Sequence, residues 1–541
     1  MKFFLITCAL VFSSNLLMGQ FEYPTLGEIE EELKSLQALH PDLVSVESIA
    51  ETPGGQDVWL IRMGRGDEDL TPGLMFVGSV DGRHPAGSVM NIKLMERILE
   101  NRNSLLDNFY FYFVPVLSPD AYAQYHAELI YERLGNARET DIDRDGRISE
   151  DPYDDLDGDG LITMVRIEDP TGRFTTHLSD DRIMIEFEER SDREMIYRLI
   201  SEGIDNDKDG LFNEDGPGGV NLNKNFSFDY PAFQPGAGEH AVSEEENRKL
   251  AEFLFERWNI YAVFTFGLEN NLSHPVEFDR SKVDQRVIKG PLEKDASVNQ
   301  KVSRLFKDNA LLQDAEKMEQ GSGSFSSWAY FHYCRFSFVS PAWLAPVVES
   351  DRDTEGKSDS LSGNYDLRYI HWAESQGISD YFVDWTEIDH PDFPGRKAEV
   401  GGFKPFVRYN PPLKYLEQEA DDYFTFIQSV CEKMPRLEFQ DISVEKAGDG
   451  VFRIKGRVMN SGQLPTGTEL GDRSRWVRDI RHRILLSGEQ ELLLGHYRDF
   501  HKSLQAGEYF EFSWLVSGSG RVTLDAASPM TGLTTRVIEL K

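Results

Sequence analysis

The chain has 541 residues and a formal net charge of −36, with 93 acidic residues against 57 lysines and arginines. A surface of that average sign repels nucleic acid and anionic membranes, which excludes both as partners. Its 40% hydrophobic and 12% aromatic content belongs to a folded globular protein, and the length leaves room for about two or three domains.

Residues 1–20, "MKFFLITCALVFSSNLLMGQ", place Lys2 before an apolar run and small or polar residues before "FEYP". This is the pattern of a cleaved secretory signal, so the mature protein is expected to be exported, periplasmic or secreted. No later segment approaches the roughly 20 apolar residues of a membrane helix, so no membrane span is expected. Past Cys8 only Cys334 and Cys431 remain, and two independent buried thiols are expected over a disulfide.

From Tyr23 the pattern alternates helix and strand. "LGEIEEELKSLQALHPDL" predicts an amphipathic helix stopped at His40 and Pro41, and "VSVESIAE" and "DVWLIRMG" read as strands around the "TPGGQ" turn. "GLMFVGSV" is a buried strand, followed by the helix "AGSVMNIKLMERILENR" and a second buried strand, "FYFYFVPV". Ser243 and Glu246 stand at capping-box spacing before a helix that runs into the strand "IYAVFTF". Helices follow near 293–313, 366–375 and 412–433, with strands at "RFSFVS" and "KAEVGGF". The expectation is an α/β domain with a mixed sheet over residues 21–434. After "EKMPRLEF" only short alternating runs separated by turns remain, so residues 435–541 are expected to be an all-β sandwich without a helix.

Three loops within 141–215 repeat one idea: "DIDRDGRISED", "DLDGDG" and "DNDKDGLFNED". Asp141, Asp143 and Asp145, then Asp155, Asp157 and Asp159, then Asp205, Asp207 and Asp209 alternate before a glycine, as in loops that wrap oxygens around calcium. Position 12 is Pro152 in the first and Gly216 in the third, so the bidentate Glu of an EF-hand is absent. Crowded carboxylates are costly without a cation, and structural calcium is expected in at least one loop.

Several segments together resemble the peptidase M14 family, the zinc carboxypeptidases. "PTLGEIEEEL" and "TPGGQDVWLIRMG" are similar to the family's opening helix and hairpin, "GGVNLNKNF" to its Asp-Leu-Asn-Arg-Asn-Phe motif, and "HPDFPGRKAEVGGFKPF" to the strand that carries its catalytic Glu. The Asp-rich loops and the β-rich tail look like those of a large exported bacterial branch. The resemblance implies a zinc held by two His and one Glu, the ligand set of carboxypeptidase A, with an open position that activates water. The family's His-Gly-x-Glu-Pro pattern aligns with "DGRHP", so its first His falls on Asp81 and its Glu on His84; the second His falls on Gly267. Glu399 matches the general base, Asn223 the Asn that grips the substrate's terminal carboxylate, and Lys224 the neighbouring Arg. The oxyanion-stabilising Arg falls on Arg138 or Arg166, and Tyr381 is a candidate for the substrate-facing Tyr.

Three functions follow from these residues. One is an active carboxypeptidase with a rewired metal site of Asp81, His84 and His274. The second, which the substituted ligands favour, is a degenerate relative that binds peptide or protein C-termini. The third is a calcium-stabilised exported scaffold whose β-sandwich does the binding.

Overall fold

A computed structural model describes residues 22–101, 105–141, 146–148, 151–186, 195–208, 210–213, 219–309, 311–312, 315–318, 321–348, 364–488 and 490–541. Residues 1–20, expected to be a secretory signal, and Asp143, Asp145 and Asp209 lie outside the described residues.

The first helix, Leu26–Leu39, begins where its sequence says: the Thr25 hydroxyl accepts from the Glu28 amide, and the Glu28 carboxylate accepts back from Thr25. Strands β1 (Val44–Glu51), β2 (Asp57–Met63), β3 (Gly73–Val77) and β4 (Tyr110–Val114) follow. Then come β5 (Met164–Glu168), β6 (Phe174–Thr176), β7 (Met184–Glu186) and β8 (Tyr197–Ser201), and after them β9 (Ile260–Phe266), β10 (Phe336–Ser340), β11 (Phe382–Ile388) and β12 (Ala398–Phe403). The main sheet has the order β1-β2-β4-β3-β9-β10, antiparallel at β1, β2 and β4 and parallel from β4 onward.

Every residue of β3 and β9 is buried, because helices cover both faces. Strand alternation divides the core in two. Leu74 and Phe76 face the helices Pro85–Glu100 and Lys414–Lys433, whereas Met75 and Val77 face Glu245–Glu256 and Phe325–Phe331. Phe76 stacks on Phe113 and Phe264 with ring centroids 4.9 and 5.2 Å away, which locks the middle of the sheet. Asp81, His84 and Gly267 follow the ends of β3 and β9, so this core fixes their spacing.

Strands of the segment with the Asp-rich loops join β11 and β12 in a second, antiparallel sheet, β11-β12-β5-β8-β6-β7, whose small core is Val165, Ile167, Ala398 and Val400. The last hundred or so residues hold β13 (Leu437–Gly448), β14 (Val451–Asn460), β15 (Ile480–Leu485), β16 (Glu491–Leu494), β17 (Arg498–His501), β18 (Tyr509–Ser517), β19 (Gly520–Ser528) and β20 (Gly532–Leu540). They make two four-stranded antiparallel sheets, β13-β14-β18-β16 and β17-β15-β19-β20, around one apolar core. The fold class is thus α/β with a mixed sheet, followed by antiparallel β sheets.

Two local expectations are corrected. Ser243 does not cap the helix Glu245–Glu256; its hydroxyl donates to Glu244 at 2.7 Å, while Glu246 is buried against Asn136. The C-terminal part also contains a helix, Glu469–Ser474, capped by the Thr468 hydroxyl, and it is too short to show a helical period. Both Cys334 and Cys431 are buried free thiols. Among the described residues no helix is long and apolar enough to cross a membrane.

The two parts are stitched together by polar contacts. Asp295 accepts from the Glu469 and Leu470 amides, Tyr261 donates to the Pro465 carbonyl, and buried Arg335 donates to the Trp476 carbonyl at 2.8 Å.

Candidate functional site

The loop after β3 is pressed between backbones: a Cβ on Gly82 would lie 2.6 Å from the Arg133 carbonyl, so glycine is required there by close approach. This turn carries Asp81 and His84 to the start of the helix Pro85–Glu100. Asp81 is closed by Arg83. Its Oδ1 accepts from the Arg83 amide and Nε, both at 3.0 Å, and its Oδ2 accepts from Nη2 at 2.8 Å. Burial raises the Asp81 pKa, but the Arg83 charge and hydrogen bonds outweigh it and hold the carboxyl below its ordinary range.

His84 is fully buried and points the other way, its Nε2 accepting from the Ala342 amide at 3.3 Å. Its Nδ1 has the Phe266 carbonyl as neighbour but lies outside hydrogen-bond geometry. Burial pushes the ring down to about 4, so it is neutral at physiological pH. At Gly267 a Cβ would meet only Thr265 and Val339 methyls at 3.7 Å, so packing admits a side chain that the sequence does not supply. His274 is exposed, its Nε2 engaged by the Ala315 carbonyl at 2.7 Å. Asp81, His84 and His274 therefore do not come together as the rewired site requires. Among the described residues Asp155, Asp157 and Asp159 are the group of three whose ligand atoms converge.

Glu399 sits on β12 directly opposite Arg166 on β5, which donates from Nε at 2.8 Å; Lys397 lies 3.2 Å away on the other side. Burial raises its pKa, and the Arg166 and Lys397 charges more than reverse this, leaving it low. The residue expected to be the general base and one candidate oxyanion arginine thus pair with each other. The other candidate, Arg138, binds Glu244 at 2.9 Å, and the buried Tyr381 hydroxyl bonds Arg182 and Glu374.

Asn223 and Lys224, expected to grip a carboxylate, are arranged differently. Asn223 Oδ1 accepts from the Phe325 amide at 3.0 Å, which leaves its amide nitrogen as a donor. Lys224 is half-buried and has no ion pair among the described residues.

Beside them stands a residue that the family's motifs do not mark, Glu269. It is buried, accepts from Gly321 at 3.2 Å and from the Ser326 hydroxyl, and thereby pins the same 321–326 segment that Asn223 holds. Burial, with a smaller push from Asp81, raises its pKa to about 7. In the sequence it is a single carboxylate two residues past Gly267, after a strand that is apolar but for Thr265. Because the folded state holds this proton and the unfolded chain releases it near 4.5, Glu269 costs stability as pH rises from about 4.5 to about 7. Glu269→Gln is expected to remove about 2 kcal/mol of the stability lost between about pH 5 and about pH 8, read by urea unfolding at both values.

In the Asp-rich loops each leading Asp turns one oxygen onto the glycine amide five residues on: Asp141 to Gly146, Asp155 to Gly160 and Asp205 to Gly210, at 3.0, 2.9 and 3.1 Å. Asp157 is raised by burial, then by Asp159 and Asp155. Asp207 lies in the third of these loops.

Residues 29–168 match the family model described as zinc carboxypeptidase, peptidase M14. This part of the α/β domain is similar to zinc carboxypeptidases. Human carboxypeptidase D is 24% identical over 144 residues, 25% of this chain and 10% of that protein. Carboxypeptidase SOL1 of Arabidopsis thaliana is 22% identical over 131 residues, 23% of this chain and 25% of that protein. The chain thus matches a quarter or less of these relatives' length. The crystal structure of carboxypeptidase A from Helicoverpa armigera aligns with TM-score 0.38 and 13% identity over 66% of this chain and 76% of that one. Residues 436–539 match a domain of unknown function, DUF8731.

Proposed function

We propose that this exported protein is a zinc carboxypeptidase-like binder of peptide C-termini with a degenerate metal site, and not an ordinary zinc peptidase. The observation that carries this reading is the pairing of Asp81 with Arg83 through both carboxylate oxygens, together with a glycine at position 267. An open catalytic zinc site needs three protein ligands; here one candidate is spent on an arginine, one accepts an amide hydrogen bond, and one has no side chain. The donor set does not fit the metal. Glu399, held low between two cations, is likewise engaged where a general base needs a free lone pair toward water.

Peptide binding is supported by Asn223 and Lys224, an amide donor beside an ammonium with no ion pair among the described residues. Lys224→Ala is expected to weaken a peptide with a free C-terminal carboxylate about tenfold, the scale of one charge-assisted hydrogen bond. Amidating the peptide should give the same loss in wild type and no further loss in the variant. Calorimetric titration of the four combinations reads this, and additive losses would place the carboxylate elsewhere.

Calcium in the Asp155, Asp157 and Asp159 loop is part of the same reading, as a structural ion. Removing it with a chelator is expected to lower the melting temperature, because an ion bound only to the folded state stabilises by mass action. An unchanged melting curve would count against it.

A further inference from the structure

The outer face of the sheet β17-β15-β19-β20 runs against the charge of the rest of the chain. Strand alternation sends Ile480, His482 and Ile484 inward and Arg481, Arg483 and Leu485 outward. Register then lines up Arg498, Arg483, Asp525 and Thr535 in one row, and Phe500, Arg481, Ala527 and Leu533 in the next. Two guanidiniums, those of Arg483 and Arg481, therefore share a single carboxylate, that of Asp525, and a third, Arg498, stands beyond Arg483 in the same row. Arg483 Nε lies 2.5 Å from Asp525 Oδ2 and Arg481 Nη2 3.9 Å from the same oxygen. Arg498, directly opposite Arg483, has no ion pair among the described residues. Arg498 opposite Arg483 sets like charges across two strands, which destabilises the pair, and the one carboxylate of the row, Asp525, is already shared by Arg483 and Arg481.

The surround is open and apolar. Phe500 is 60% exposed, Leu533 46% and Val537 51%, and all three stand on this one face. A cationic strip framed by exposed aliphatic and aromatic side chains, on a chain of net charge −36, is complementary to a partner that is both acidic and apolar. Arginine forks match carboxylates in pairs, and the aliphatic frame favours amino-acid side chains over sugar hydroxyls.

We infer that this face of the C-terminal domain docks an acidic protein segment that interleaves Glu or Asp with Leu or Phe. The contact is independent of the carboxylate grip at Asn223 and Lys224, and it gives the domain of unknown function a binding role.

The test uses the full chain and a labelled, C-terminally amidated peptide of alternating Glu and Leu, with its Lys counterpart and a sulfated polysaccharide as comparisons. Amidation removes the free carboxylate, so binding here is separable from binding at the carboxypeptidase-like site. The acidic peptide is expected to bind, to weaken from about 50 to about 500 mM salt, and to lose about tenfold in Arg498→Glu. Phe500→Ser, also exposed, is expected to weaken it several-fold. Equal binding of the Lys peptide, unchanged affinity in both variants, or binding of the polysaccharide alone would overturn the inference.

Discussion

Replacing Arg335 by alanine is expected to destabilise the protein by about 4 kcal/mol, the upper end for a single substitution, measured by urea unfolding. The side chain is 1% exposed and has no carboxylate partner among the described residues; carbonyls take its place. Nε donates to Ile260 at 2.7 Å, Nη1 to Tyr333 at 3.2 Å and Trp476 at 2.8 Å, and the guanidinium lies 4.5 Å from the Tyr333 ring centre. Truncation leaves these acceptors without donors and opens a cavity, and both effects act in one direction. Because Ile260 begins β9 and Trp476 belongs to the C-terminal part, the same change should loosen the junction, seen as faster proteolytic cleavage near residues 461–477.

The second large effect is expected from Arg83→Ala, at about 2 to 4 kcal/mol at neutral pH after allowance for the partial exposure of the arginine. It strips Asp81 of the partner that engages both its oxygens and leaves a nearly buried carboxylate uncompensated. The effect has a pH signature. Asp81 in the wild type has a depressed pKa, so its contribution is present above the unfolded value of 3.8 and is lost as pH falls through the folded one. The variant's deficit should therefore shrink toward about pH 4, where the carboxyl takes a proton. A deficit that does not depend on pH would mean that Arg83 acts by packing alone.

Much of the fold was legible because burial on two faces writes long apolar runs. "GLMF" and "IYAVFTF" could only be central strands, and the helix at Leu26 carried its own cap. The site was legible by residue type and not by partner. Glu399 stood out on its strand, but the arginine that neutralises it is Arg166, which reaches it through the register of β5 and β12. His274 follows the strand on a loop from which it could swing in, yet the loop aims it at the Ala315 carbonyl. Glu269 escaped because a single carboxylate after an apolar strand has no pattern, and only its burial against Gly321 and Ser326 reveals its raised pKa.

The substituted ligand positions are expected to hold no zinc. The direct measurement is metal content of the purified full chain after equilibration with micromolar zinc and removal of free ion, alongside release of C-terminal amino acids from peptides. The expected result is substoichiometric zinc and no release, with peptides still bound. One zinc per chain, lost together with peptide cleavage in Asp81→Ala or Glu399→Gln, would contradict it.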